Sequence, residues 1–475
     1  MPPHSVKEHL LNPSDQKATK PESVFTKILW NRPPTEMEGN LILFIVFMVV
    51  GITPGYLNTQ ILELQEKGAS YNDQALFSIT FYPLIFKIVF APLLDGFYSK
   101  TLGKCKTWIV SCLFCKSLSF GVVATMTQTL LTPSKIPVLV SIWFTIHIFS
   151  GLLSIAIENY LVKLFYHDAT KKGKGGLIIC AGFAAGFFIG YNLFIALADW
   201  KLITHASFSY TISIGVFILG VYILVWVAEE STEDEIQKPD LFRIIRILPE
   251  FVKQPNTRML LMFIILTRVF NSMFAEVLIL KFIRSGIAKS TIVYLDTIST
   301  PLIFLATYIS FKKMKEGSIA YTYGLIMMFL NTVVVVFGFL ALLDLQIFGN
   351  KSRAVFLLLL RCMLTKLALE SSWYSGFVTS VTPGYISSTF ITAMYSVGNL
   401  CEHIPNSIGL KLAAIFSNSH TTLLLFGYLT QYACLAMALP IAKKLDQLNK
   451  DDFSILKPDE NKVPEEREMA QISKS

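Results

Sequence analysis

Apolar runs long enough to cross a bilayer alternate with short polar stretches along almost the whole chain. A hydrocarbon core about 30 Å thick takes about 20 helical residues to span. Twelve such runs predict twelve spanning helices, near 40–65, 73–98, 106–131, 136–166, 175–198, 207–229, 257–283, 289–312, 318–344, 352–380, 385–416 and 420–443. The fourth, tenth and eleventh are long, which predicts tilt or extension past the bilayer. The longest interior polar stretch, 230–256, carries an acidic run and then an amphipathic piece starting at Asp240. It reads as a linker between two six-span bundles, 39–229 and 257–445. Residues 1–38 and 446–475 are polar and read as disordered tails.

The two halves echo each other faintly. Pro92 and Pro301, Lys104 and Lys313, and Lys106 and Lys315 are each 209 positions apart. In each half a Pro-Leu in the second span is followed by a basic loop. Two six-span halves with a solute site between them near the midplane is the arrangement of major facilitator transporters. The expected fold class is therefore an all-α membrane protein of that superfamily.

Composition agrees with a bilayer protein. The chain is 53% hydrophobic and 16% charged, against about 25% charged in soluble domains. Its N-terminal stretch lacks the short apolar core of a cleaved signal peptide, so the first apolar helix is expected to direct insertion. The net charge of +8 comes from lysines in short loops, not from one basic face. Nucleic acid is therefore not an expected partner. Lys100, Lys104, Lys106, then Lys171, Lys172, Lys174, then Lys312, Lys313 and Lys315 fall in loops on one side; Lys67, Lys135 and Lys201 sit on the other. The positive-inside rule then puts both termini in the cytoplasm. The sequon at Asn350 falls on the opposite side. Cys112 and Cys115 match C-x-x-C without the strand–helix context of a redox site, and read as two small apolar residues one turn apart. No metal cluster, phosphate loop or hydrolase elbow is present in the sequence, so no metal, no cofactor and no enzymatic activity are expected.

A charge at bilayer depth is costly unless it faces a cavity or a partner. Several polar residues share helical faces. Tyr56, Gln60 and Glu63 stack in the first span, and Lys87 and Asp95 lie in the second. His147, Gly151, Ser154 and Glu158 form a stripe in the fourth, and Arg268, Ser272 and Glu276 follow in the seventh. Lys366 and Glu370 lie in the tenth, with Arg361 on another side. Asn399, Glu402, His403 and Asn406 share a face of the eleventh. Such stripes line an aqueous passage, or pair with one another and staple helices together. His147, His403, Glu158, Glu276 and Glu402 are candidates for proton coupling, with hydrogen-bonded helix contact as the alternative for each. Gly182, Gly186 and Gly190 make a small-residue face whose default role is close packing, with a hinge as the other reading.

The stretch Ser70–Ser78, Tyr82-Pro83, Phe86-Lys87, Ala91-Pro92, Asp95 and Gly103–Trp108 resembles the acetyl-coenzyme A transporter family. That family belongs to the major facilitator superfamily and is distantly similar to bacterial muropeptide permeases. The resemblance continues through Gly182–Leu197, Leu266–Arg268, Glu276, Lys281, Gly286, Lys289, Ser396–Leu400 and Pro405–Ser407. It departs at Ser154 and at Glu158-Asn159-Tyr160, where the family has a different acidic pattern.

The resemblance implies import of acetyl-coenzyme A from the cytosol into the endoplasmic reticulum lumen. It also implies a gating role for Asp95, Lys104 and Lys106. Such a cargo asks for cations and an aromatic face. Lys87, Arg268 and Lys366 are the candidate cations. Tyr56, Tyr82, Trp373 and Tyr374 are the candidate stacking partners, with Gln60 and Asn399 as polar lining. Two rivals stand beside this reading. One is a carrier of another organic anion or a glycopeptide. The other is an intramembrane acyltransferase built on His403 with Asn399 and Asn406. A homodimer is left open.

Overall fold

The computed structural model describes residues 35–67, 76, 78–99, 101–165, 169–227, 252–273, 278, 281–282, 285–315, 319–367, 377–381, 387–415, 420–448 and 453. Both tails apart from residues 35–38, 446–448 and 453, and the linker before residue 252, lie outside these, as do Glu276, Trp373 and Tyr374.

Among the described residues the chain is helical, with no strand. The helices are α1 Glu36–Glu66, α2 Tyr82–Ile85, α3 Ala91–Gly96, α4 Lys104–Leu130, α5 Ile136–Leu164 and α6 Ala169–Phe188. They continue with α7 Phe194–Asp199, α8 His205–Trp226, α9 Pro255–Met273, α10 Lys289–Ser299 and α11 Leu302–Lys315. The last four are α12 Ile319–Leu343, α13 Lys351–Leu367, α14 Ser387–Ile415 and α15 His420–Leu445. Helix falls on all twelve expected runs, and among the described residues 7 helical stretches are long and apolar enough to cross a membrane, with α6–α7 and α10–α11 each counted as one. Exposed Leu118, Ile214, Phe217 and Ile218 on α4 and α8 fit a surface turned to hydrocarbon.

Among the described residues, two of the expected spans are broken. The second runs as a 3₁₀ turn at Ser78–Phe81, then α2, a second 3₁₀ turn at Lys87–Val89, and α3. The eighth divides into α10 and α11 at Thr300-Pro301. Proline has no N–H to give its turn and its ring crowds the preceding carbonyl. Pro83 and Pro92 stand in the first turns of α2 and α3, where that missing donor costs nothing. The echo of Pro92 in Pro301 is thus an echo of shape as well as sequence.

The fifth span keeps its direction but loosens. A π-helical turn at Ile189–Leu193 joins α6 to α7. Before it, α6 lies against α1 backbone to backbone. A methyl on Gly182, Gly186 or Gly190 would strike the carbonyls of Phe44, Met48 or Ile52. A methyl on Gly51 or Gly55 of α1 would strike those of Phe183 or Phe187. The packing reading of the glycine face holds, and the contact is glycine-lined on both helices.

Helix α8 is fastened at both ends. Thr204 and Ser207 form a capping box at its start. At its end the buried Lys106 Nζ donates to Val227 O at 2.6 Å, a cation on the carbonyl-rich terminus of a helix. The halves meet where α14 packs on α2, α3 and α5, and where α11 packs on α6.

Candidate functional site

The seam between the halves forms around the break in the second span. In an unbroken helix the Ile88 N–H would donate to the Leu84 carbonyl four residues back. Here the Ile88 N–H donates to Ser396 Oγ at 3.3 Å, and Leu84 O accepts from Asn399 Nδ2 at 3.2 Å. Two side chains of α14 therefore fill the gap that the broken helix leaves open, and satisfy backbone groups that burial would otherwise penalise.

Lys87 follows directly. Its Nζ is 2.7 Å from Glu158 Oε1 and 2.9 Å from Oε2, and both residues are buried. Tyr395 of α14 presents its ring 4.8 Å from the same nitrogen, a cation–π contact across the seam. Gly151 makes room for this approach: a Cβ there would lie 3.2 Å from Pro83 O. The fourth-span stripe thus holds as one face, turned to the broken second span.

One turn before Gly151 on α5, His147 Nδ1 pairs with Trp143 O at 2.8 Å, which assigns the proton to Nδ1. Its Nε2 is buried and meets no partner among the described residues. The Phe81 ring lies 5.0 Å from His147 and stacks on His403 of α14 at 5.4 Å. Two imidazoles from opposite halves therefore share one phenyl ring. On the far flank, Asn192 in the π turn donates to Thr297 Oγ1 at 2.6 Å, and Tyr294 OH donates to Asp199 Oδ2 at 2.6 Å.

Other sequence candidates fall elsewhere. Tyr56 and Gln60 face the interior of the first half. Tyr56 OH donates to His205 O at 3.0 Å and accepts from Ser209 Oγ at 2.9 Å, while Gln60 Oε1 accepts from Trp143 Nε1 at 2.8 Å. Glu63 at the end of that stripe pairs with Lys67 and His205. Lys366 pairs with Asp296 at 2.8 Å, inside the second half. Arg268 is buried on α9. Tyr82 is exposed and meets Phe86 edge-on. Lys104 opens α4, half-buried, and Lys106 serves α8 as described above. Asp95 and Glu402 lie on α3 and α14, where only their backbone is described. Glu276, Trp373 and Tyr374 are outside the described residues.

The seam also contains residues that polar periodicity did not single out. Ser396 sits in the stretch that carries the family resemblance and Tyr395 directly precedes it, which is the signal that could have found them. Lys116 gave no signal of this kind. It is an isolated lysine in the middle of the third span, and it is fully buried.

Comparison with known proteins bears on this arrangement. The family described as Acetyl-coenzyme A transporter 1 matches residues 40–229. An uncharacterized protein of Schizosaccharomyces pombe is 19% identical over 403 residues, covering 79% of this chain and 75% of that protein. Among solved structures, the major facilitator transporter FucP in the outward conformation aligns with a TM-score of 0.57 and 13% identity, over 86% of this chain and 99% of that one. A second structure, of a variant of the E. coli fucose:proton symporter FucP, aligns with a TM-score of 0.59 and 12% identity, over 87% and 99%. At such identities the likeness is one of fold. The chain has the fold of the major facilitator transporters, and its residues 40–229 match the acetyl-coenzyme A transporter family.

Proposed function

We propose that this chain carries acetyl-coenzyme A by alternating access, from the cytosol into the endoplasmic reticulum lumen, with both termini cytoplasmic. The match of residues 40–229 to the acetyl-coenzyme A transporter family carries the reading.

The seam supports an anionic, base-bearing cargo. Phosphates ask for Lys or Arg, and an adenine ring asks for an aromatic face. Lys87 has Tyr395 beside it, at the boundary that must part for solute to enter. In the closed arrangement Glu158 neutralises Lys87, and Asp296 neutralises Lys366. A cargo phosphate takes the place of Glu158 as the halves separate. A carboxylate released at bilayer depth is costly unless it takes up a proton, and Glu158 thereby couples cargo to protons. His147 and His403, on either side of Phe81, lie where a proton could pass between halves. Arg268 is the cation offered by the second half. The rest of the proposed site comprises Asn399 at the seam, Tyr56 and Gln60 behind it, and Glu276, Glu402, Trp373 and Tyr374. Asp95, Lys104 and Lys106 form the proposed gate.

Uptake of labelled acetyl-coenzyme A into proteoliposomes, with and without a proton gradient, tests this. Uptake is expected to be competed by coenzyme A and not by muropeptides. Arg268→Ala is expected to lower it about tenfold or more, the worth of a charge-assisted hydrogen bond. Unchanged flux in that variant removes Arg268 from the site. Uptake of another organic anion with none of acetyl-coenzyme A overturns the cargo.

A further inference from the structure

Lys116 lies in the middle of α4 with 0% of its surface exposed. Its Nζ meets Val49 O at 3.2 Å, Thr53 Oγ1 at 2.8 Å and Ser150 Oγ at 2.9 Å. Those oxygens come from α1 and α5, so three helices converge on one nitrogen. Among the described residues no carboxylate pairs with it. Its titratable neighbours include Cys112 one turn back on α4 and His147 on α5, and neither is a carboxylate.

The directions of the hydrogen bonds decide what this cage accepts. The Thr53 hydroxyl donates to Val49 O at 3.3 Å, and the Ser150 hydroxyl donates to Ile146 O at 3.0 Å. Both hydroxyl hydrogens are committed to their own helices, so lone pairs are what face Lys116. An ammonium brings three hydrogens to three acceptors. A neutral amine brings two, and would set its own lone pair against an oxygen with no hydrogen to return. A main-chain carbonyl and two hydroxyls, uncharged and converging, are also the oxygen ligands that hard cations take.

We propose that this cage is a monovalent-cation site permanently filled by the protein itself, with the Lys116 ammonium standing where a free cation would bind. The first half then holds a fixed positive charge without a soluble ion. Its use toward an anionic cargo rests on the transport reading above, but the site does not.

The test separates the two by reading stability rather than flux. Lys116→Ala removes a propylammonium group and leaves its oxygen ligands in place. Purified full-length Lys116→Ala in choline chloride is expected to melt roughly 5 °C or more below wild type. Millimolar n-propylammonium or sodium is expected to restore most of that loss, and the wild type to respond to neither. Lys116→Met fills the volume without the charge, and is expected to melt low and to resist rescue. Thr53→Val and Ser150→Ala in the Lys116 background are expected to lower the melting temperature, and to add no further loss in the Lys116→Met background. They keep the test open if Lys116→Ala does not fold. Lys116→Met as stable as wild type, cation-indifferent Lys116→Ala, or additive loss from Ser150→Ala would each overturn the proposal.

Discussion

At the seam between the halves, Lys87 is answered by the Glu158 carboxylate and an aromatic ring from the opposite half. Inside the first half, Lys116 is answered by three neutral oxygens fixed to two neighbouring helices. Both lysines are buried, and the difference lies in what could replace their partners. A carboxylate on a flexible side chain competes with any incoming anion for the cation it holds. Oxygens fixed on or close to the backbone offer nothing that an anion could displace. On this reading the seam holds a charge ready to change partners, and the bundle interior holds one that stays put. The surroundings agree. Near Lys116, α1 and α6 touch through glycines and carbonyls. At the seam, the contacts are Ser396, Asn399, Tyr395 and Asn192, side chains that can let go.

The interior should be the harder to disturb without collapse. Gly186→Leu forces a side chain into the Met48 carbonyl, so expect a loss of about 3 kcal/mol or more, read as poor yield of monodisperse protein and a lowered melting temperature. Gly215 on α8 has open space where a methyl would stand, with nothing within 4 Å. Gly215→Leu should change stability by no more than about 1 kcal/mol. Equal damage from the two would mean that α1 and α6 are not in backbone contact.

The seam should break differently. Removing either Lys87 or Glu158 strands a buried charge, at a cost of about 3–5 kcal/mol, whereas replacing both by apolar residues of similar size is often nearly neutral. Lys87→Met and Glu158→Leu are therefore each expected to lower the melting temperature, and the double variant to recover most of it. Flux should fail in all three. A stable double variant that still transports would remove Lys87 from the cargo site and leave it a staple.

Much of this frame was legible in the chain. Helix falls on every run that hydropathy marked, and 7 stretches among the described residues are long and apolar enough to span, because hydrocarbon imposes length and apolarity directly on sequence. The Pro92–Pro301 echo pointed to two related halves, and the glycine spacing marked a close contact. What periodicity could not supply was the partner. It shows that Tyr56 and Gln60 share a face, yet both the seam and the bundle interior are sheltered from lipid, and the face turned to the interior. Lys87 and Glu158 are 71 residues apart, and nothing local couples them. Lys116 stands alone among Cys and Ser, and its ligands are an ordinary threonine, serine and carbonyl, so no stripe announced it.

Asp446 offers the mirror image of Lys116, and the mildest test of the contrast. It follows α15 and reaches the first turn of α12, where its Oδ1 accepts from the Ala320 N–H at 2.8 Å and its Oδ2 from the Tyr321 N–H at 2.8 Å. It caps a helix that is not its own, a negative charge answered by neutral donors at a positive helix end. Asp446→Ala should cost about 1 kcal/mol, as lost caps do. Burial pushes its carboxyl above the ordinary value of 3.8, while the two N–H bonds pull the other way without cancelling it. An acid whose folded value is raised binds its proton more tightly when folded. Its contribution is full below the ordinary value and is lost as pH rises through the folded one. The wild type should therefore lose a little stability as pH climbs from the ordinary value through that window, and Asp446→Asn, which keeps one acceptor and never ionises, should lack this slope. The same slope in both would place its origin in another group. A flat wild-type profile would mean that two backbone donors hold a carboxylate as well as water does, and that neutral dipoles suffice at the edge of the fold as they do around Lys116.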